Sequence, residues 1–255
     1  MTAFRITCLA AAALAVITAA AAAQTPAATI PTTPGADLGA MPPVMDQGIY
    51  AHAIFNQLEG RWNGSNTEFR WEGQGWAGTD YDKLWIKSED TVSQGAVEDG
   101  QDQFLYSRAI TTYFDLQGGL RSDIDSRPTR NWAAFGIQGL APYFFDLELT
   151  GFVSGEGHLA AKLEASYDLL LTQRLILQPQ IELNIYSKAD PARLVGAGFS
   201  DIDTGLRLRY ELSRKFAPYL GVVYQGKFGQ TAIFARQAGE TTGDFRFAFG
   251  VRVWF

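Results

Sequence analysis

The chain has 255 residues, 47% of them hydrophobic and 19% charged, and a formal net charge of −6. That acidic balance argues against a nucleic-acid partner, which would call for a basic surface. The single cysteine, Cys8, rules out a disulfide framework and a cysteine-based metal site.

In chain order, residues 1–23 read as a signal peptide. Arg5 supplies a positive start, residues 6–23 are apolar and Ala-rich, and Ala21-Ala22-Ala23 before Gln24 fits a small-residue cleavage site. Removing this segment takes away Cys8 and one positive charge. Residues 24–47, rich in Ala, Pro and Thr, read as a flexible periplasmic leader without a core of its own. Residues 48–255 read as one domain. Nothing in it resembles a transmembrane helix, since even Leu169-Leu170-Leu171 is interrupted within a few residues.

From residue 48 the dominant period is two, the period of a strand whose faces differ. Twelve strands are predicted, at 48–60, 65–76, 80–90, 101–110, 113–123, 130–140, 144–153, 158–169, 174–186, 202–212, 217–228 and 243–255, with ten as the alternative count. In 158–169, Leu159, Ala161, Leu163, Ala165 and Tyr167 oppose Lys162, Glu164, Ser166 and Asp168. In 174–186, Leu175, Leu177, Ile181, Leu183 and Ile185 oppose Gln178, Gln180, Glu182 and Asn184. The last strand sets Phe245, Phe247, Phe249, Val251, Val253 and Phe255 against Arg246, Ala248, Gly250 and Arg252, with Trp254 the bulky exception. A strand of this kind, ending on Phe, resembles the terminal signature of bacterial outer-membrane barrels.

The connections fall into two alternating sets. One holds 61–64, 91–100, 124–129, 154–157, 187–201 and 229–242; the other holds 77–79, 111–112, 141–143, 170–173 and 213–216. Short periplasmic turns and longer outside loops are the pattern of outer-membrane barrels. A soluble β-sandwich would also alternate. The signal segment, the even strand count and the terminal Phe favour an all-β, transmembrane, antiparallel up-and-down barrel of 12 strands with periplasmic N- and C-termini. Its lumen would then carry Glu59, Arg70, Lys83, Lys87, Asp115, Arg121, Glu148, Glu164, Glu182, Arg207, Arg209, Arg246 and Arg252. Trp62, Trp71, Trp76, Trp132, Tyr143, Phe144, Tyr186 and Tyr210, near strand ends, are candidates for interfacial girdles.

The segment Met41-Pro42-Pro43-Val44-Met45-Asp46-Gln47-Gly48-Ile49-Tyr50-Ala51-His52 leads into Phe55-Asn56-Gln57-Leu58-Glu59-Gly60-Arg61-Trp62. With Lys83-Leu84-Trp85-Ile86-Lys87-Ser88-Glu89, Leu105-Tyr106-Ser107-Arg108-Ala109-Ile110, and the runs 136–145 and 166–175, it resembles the copper resistance protein B family. The resemblance extends from about Met41 to Phe255. It implies an outer-membrane protein of copper resistance that binds copper ions or passes them across the membrane, with a periplasmic multicopper oxidase as a partner. Many members carry a long Met- and His-rich leader. Here the leader has only Met41 and Met45, which speaks against a multi-copper sponge.

Thioethers select Cu(I) and imidazoles suit Cu(II). Beyond the signal segment the chain offers His52, His158, Met41 and Met45. His158 has lumen parity beside an outside loop. His52 enters the first strand from the periplasm, although Gln57 and Glu59 suggest that odd positions of that strand face in. Separated by much of a membrane thickness of about 30 Å, the two histidines would form an outer and an inner station rather than one site. Glu59, Asp146, Glu148, Glu164, Asp168 and Glu182 could line a cation path. Equally, Asp146, Glu148, Glu164, Asp168 and Glu182 could pair with Arg207, Arg209, Arg246 and Arg252 across the lumen and plug it, leaving a plugged barrel or general cation pore without a copper site. An enzyme is not expected. The serines nearest His158, Ser154 and Ser166, sit in no nucleophile motif.

Overall fold

The computed structural model describes residues 48–93, 95–124 and 129–255. The signal peptide, the leader and Met41 and Met45 lie outside the described residues. The twelve strands are β1 (Tyr50–Trp62), β2 (Thr67–Gly78), β3 (Asp82–Ser93), β4 (Ala96–Ala109), β5 (Phe114–Asp123), β6 (Arg130–Ala141), β7 (Phe145–Ser154), β8 (Leu159–Tyr167, resuming as Leu169–Leu170), β9 (Leu175–Tyr186), β10 (Gly198–Tyr210), β11 (Phe216–Lys227) and β12 (Gly243–Trp254). Each pairs antiparallel with the next, and β12 pairs with β1, so that Gly60 lies opposite Phe249. This closure leaves no open edge, the condition for a sheet to cross lipid. The count is twelve, not the alternative ten.

The uniformly short turns, 79–81, 110–113, 142–144, 171–174 and 211–215, lie at the end where β1 begins and β12 finishes. In outer-membrane barrels that end faces the periplasm. Three outer segments differ from expectation. β3 and β4 run through most of 91–100 and reverse near Gly95, whose φ of +80° suits glycine. β10 begins at Gly198, inside the predicted loop 187–201. At this rim apolar residues such as Val92, Val97 and Phe199 stand singly among Gly, Ser, Thr and Asp, too few in a row for the period to tell strand from loop. The segment 229–242 contains helix α1 (Gly229–Gln237), which buries Thr231, Ala232 and Ala235. It is pinned to the strand entering β10: the Gly196 amide donates to Thr231 Oγ1 at 2.8 Å, and the Ser200 and Thr231 hydroxyls lie 2.9 Å apart.

The two faces of the sheet differ as the alternation predicts. Phe104, Leu120, Phe135, Leu149, Leu220 and Phe247 are exposed on the outside, where lipid is their solvent. Inside, among the described residues, the buried apolar cluster is Leu105, Trp132, Ala134 and Phe152, with Ile176, Tyr219 and Val223 buried apart from it. Charged and amide side chains fill the rest of the lumen. Among the aromatics, Trp62, Tyr143, Phe144 and Tyr210 are exposed near strand ends, as girdle residues would be. Trp76, Trp132 and Tyr186 instead face cavities within the barrel. Strand-end position fixes an aromatic's depth, but parity decides which side it faces.

Candidate functional site: a divided lumen

A bulge in β1 sets the geometry of the inner mouth. The pairing of β1 with β2 shifts between Phe55 and Gln57. An extra residue reverses the facing of everything before it. Asn56 and Gln57 therefore both reach the lumen, donating to Glu72 at 2.9 and 2.7 Å. Beyond the bulge the odd residues Gln57, Glu59 and Arg61 face in; before it the even residue His52 does. The apparent conflict between His52 and Glu59 is thus resolved by one residue.

His52 stacks on Trp76, ring centroids 6.4 Å apart and planes 16° from parallel. Both line a cavity of about 390 Å³ in the periplasmic half of the lumen. Its wall carries five carboxylates, Glu72, Glu89, Asp146, Glu148 and Glu164, against two cations, Lys87 and Arg252. Lys87 is tied up, lying 2.6 Å from Glu148 and donating to Gln138 at 2.9 Å. The vestibule is therefore acidic around a single imidazole. Interior carboxylates of this kind favour cations. At its rim, Asp168 sits 2.7 Å from Arg209 and 3.8 Å from Arg252.

Past the vestibule the lumen is filled. Glu59, fully buried, receives Arg61 Nε at 2.6 Å, Arg207 at 2.9 and 3.0 Å, and the Tyr219 hydroxyl at 2.9 Å. Arg61 continues to Asp203 at 2.6 Å. Gly250 makes room for this knot, since a Cβ there would lie 2.7 Å from both Tyr219 Oη and Glu59 Cβ. A second knot joins Arg70 to Glu182 at 3.1 Å and gathers Glu89, Lys162 and Glu164 beside it. Beyond these knots lies a smaller outer pocket of about 60 Å³, where His158 meets Asp99, Arg121, Asp123, Arg130, Lys188, Asp190 and Arg193. There two of the three acids are already paired: Asp123 with Arg121 at 2.7 Å and Asp190 with Arg130 at 2.7 Å.

The fold thus brings His52, Asp146, Glu148 and Glu164 to one cavity. Glu59 and Glu182 sit in the filled middle, Asp168 at the rim, and His158 in the separate outer pocket. The predicted pairing between strands 7–9 and the arginines of strands 10 and 12 occurs only for Asp168. Glu148 instead pairs with Lys87 of β3, Glu182 with Arg70 of β2, and Arg246 with Glu68 of β2. Alternation tells whether a side chain points inward; in a narrow lumen it does not tell which wall it reaches. Arg61, Glu72, Glu89 and Asp203 were not singled out from sequence. Arg61, Glu72 and Glu89 share the parity of the lumen residues Glu59, Arg70 and Lys87 two positions away, and Asp203 that of Arg207 four positions away; continuing that parity would have found them.

Residues 49–255 match the family model described as copper resistance protein B precursor. Copper resistance protein B of Escherichia coli is 42% identical over 212 residues, covering 83% of this chain and 72% of the relative. The copper resistance protein B homolog of Pseudomonas syringae pv. tomato is 41% identical over the same length and coverage. Among solved structures, the NanC porin superposes with a TM-score of 0.50 at 12% identity, covering 80% of this chain and 98% of that one. At that identity the likeness speaks to the barrel fold alone.

Proposed function

The chain belongs to the copper resistance protein B family, and from that premise we propose that it holds copper ions in the acidic vestibule at its periplasmic mouth, with His52 as the ligand within the barrel. It is an outer-membrane barrel of copper resistance; the vestibule as the place where copper is held is our reading. The observation that carries it is the single imidazole set in a cavity whose wall has five carboxylates and two cations. Imidazole nitrogen suits copper, and surrounding carboxylates raise the local cation concentration. Met45 and Met41 precede His52 by seven and eleven residues, within reach of the mouth in chain length, and would add thioethers for Cu(I). The outer pocket has the weaker claim, because His158 there is surrounded by Arg121, Arg130, Lys188 and Arg193. Asp146 and Glu148 attract the ion, Glu59 and Glu182 hold the barrel shut behind it, and Asp168 anchors Arg209 and Arg252 at the rim. The role is binding rather than catalysis.

Titrating the detergent-folded protein with Cu(I) and Cu(II) against a competing chelator tests this. Replacing His52 by Ala should weaken binding about tenfold or more, the loss of roughly 1.4 kcal/mol or more, whereas His158→Ala should leave it unchanged. Unaltered affinity in His52→Ala would sink the vestibule reading.

The periplasmic multicopper oxidase implied by the family resemblance would exchange copper at this same mouth. A photo-crosslinking residue at Arg214, exposed in the periplasmic turn 211–215, should capture such an oxidase in copper-stressed cells, whereas one at Gly155, in the outer turn between β7 and β8, should not. Capture from neither position, or from both equally, argues against the partnership.

A further inference from the structure

The vestibule is not acidic all round. Its carboxylates lie on β2, β3, β7 and β8, whereas β12 places Arg252 on the wall and β10 places Arg209 at the rim. The bulge in β1 fixes where Arg252 stands. Val253 pairs with Phe55 and Val251 with Leu58, so Arg252 alone falls opposite Asn56 and Gln57. It is thus on the strand next to that of His52 and faces the same cavity.

The two guanidiniums have fewer partners than donors. Both turn to the same oxygen of Asp168, Arg209 at 2.7 Å and Arg252 at 3.8 Å. Arg209, 3% exposed, also donates to Gln178 at 3.3 Å, yet its Nε is buried without a partner. Arg252 makes no hydrogen bond among the described residues, and its Nε too is buried. A buried donor left unpaired is costly, and a guanidinium presents its donors as a planar fork suited to a carboxylate. A free anion would be repelled by the five carboxylates of the wall. Copper that arrives chelated by a small carboxylate would not. Its metal end is positive and suits His52 and the acidic wall, and its carboxylate keeps an outer oxygen for Arg252. A cavity of about 390 Å³ has room for such a chelate, of which a bare ion would fill a small part.

We propose that the vestibule takes copper as the chelate of a small amino carboxylate, with Arg252, backed by Arg209, holding the carboxylate. This rests on the reading of copper at His52 and names the form of its cargo. The test compares two Cu(II) chelates of similar size on the detergent-folded barrel, the equimolar complexes with glycinate and with ethylenediamine, followed by quenching of tryptophan fluorescence. Both leave coordination positions open for His52, and only glycinate carries a carboxylate. Attraction to the acidic wall favours the ethylenediamine complex, which bears the higher positive charge, so a preference for glycinate has to come from the arginines. The wild type should bind the glycinate complex about tenfold more tightly. Arg252→Gln should erase that preference. Arg252→Lys, which keeps the charge should the glutamine variant not fold, loses the fork and should lose most of the preference as well. A wild type that does not prefer glycinate overturns the proposal, as does a preference unchanged in either variant. If both chelates bind equally and both are lost in His52→Ala, this proposal falls and copper at His52 stands; if neither responds to His52→Ala, both fall.

Discussion

Glu59→Gln should destabilise the barrel by about 3–5 kcal/mol, the cost of breaking a buried ion pair from one side. The carboxylate is fully buried and accepts from Arg61, Arg207 and the Tyr219 hydroxyl. The amide keeps the shape but loses the charge and turns one acceptor into a donor aimed at donors. Arg207, 2% exposed, then has no carboxylate partner left. Arg61 retains Asp203 at 2.6 Å. Removing both charges should therefore cost far less than removing one, so Glu59→Leu with Arg207→Leu should recover most of the loss. Urea titrations of the folded protein, read by tryptophan fluorescence, give both numbers. A Glu59→Gln midpoint within error of the wild type would mean that water reaches this knot and that the middle of the lumen is not dry.

This middle was legible in the sequence as a set of inward charges, but not as a structure. Glu59, Glu182, Arg70 and Arg207 were identified as lumen residues because period two leaves no other face for them in a lipid-spanning strand. Which of them touch depends on strand tilt and side-chain length, and neither leaves a pattern in one chain. Glu182 reaching Arg70, seven strands away in sequence order, is such a case. The bulge at Asn56 was hidden for a related reason. Asn56 and Gln57 are both polar, and a polar pair reads equally well as alternation interrupted or as one residue facing lipid. Once the bulge is in place, His52 joins the acidic wall and the inner site assembles from β1, β2, β3, β7 and β8. Helix α1 escaped notice because its buried residues are Thr231, Ala232 and Ala235, too small to give a segment of nine residues an apolar stripe.

Reconstituted into planar bilayers, the wild-type barrel should insert without producing resolvable single-channel steps. Twelve strands enclose space enough for a water-filled pore, but here that space is taken. The Glu59–Arg61–Asp203–Arg207–Tyr219 knot and the Arg70–Glu182–Lys162 knot cross the lumen from β1 and β2 to β8, β9, β10 and β11. An ion following the axis would have to break several buried pairs at once, each of which resists removal of a partner by several kcal/mol. High salt should not open it, since screening acts on solvent-exposed charges and leaves buried pairs largely intact. Thinning the knot without leaving a lone charge, by Glu59→Ala with Arg207→Ala and Tyr219→Ala, should admit small ions, and the acidic vestibule should make that current cation-selective. A closed wild type would make the barrel a holder of copper at the periplasmic face, whose cargo leaves by the mouth it entered. Steady conductance in the wild type would instead mean that the knots open in the membrane, and the carboxylates from Asp146 to Glu182 would then form a path rather than a cup.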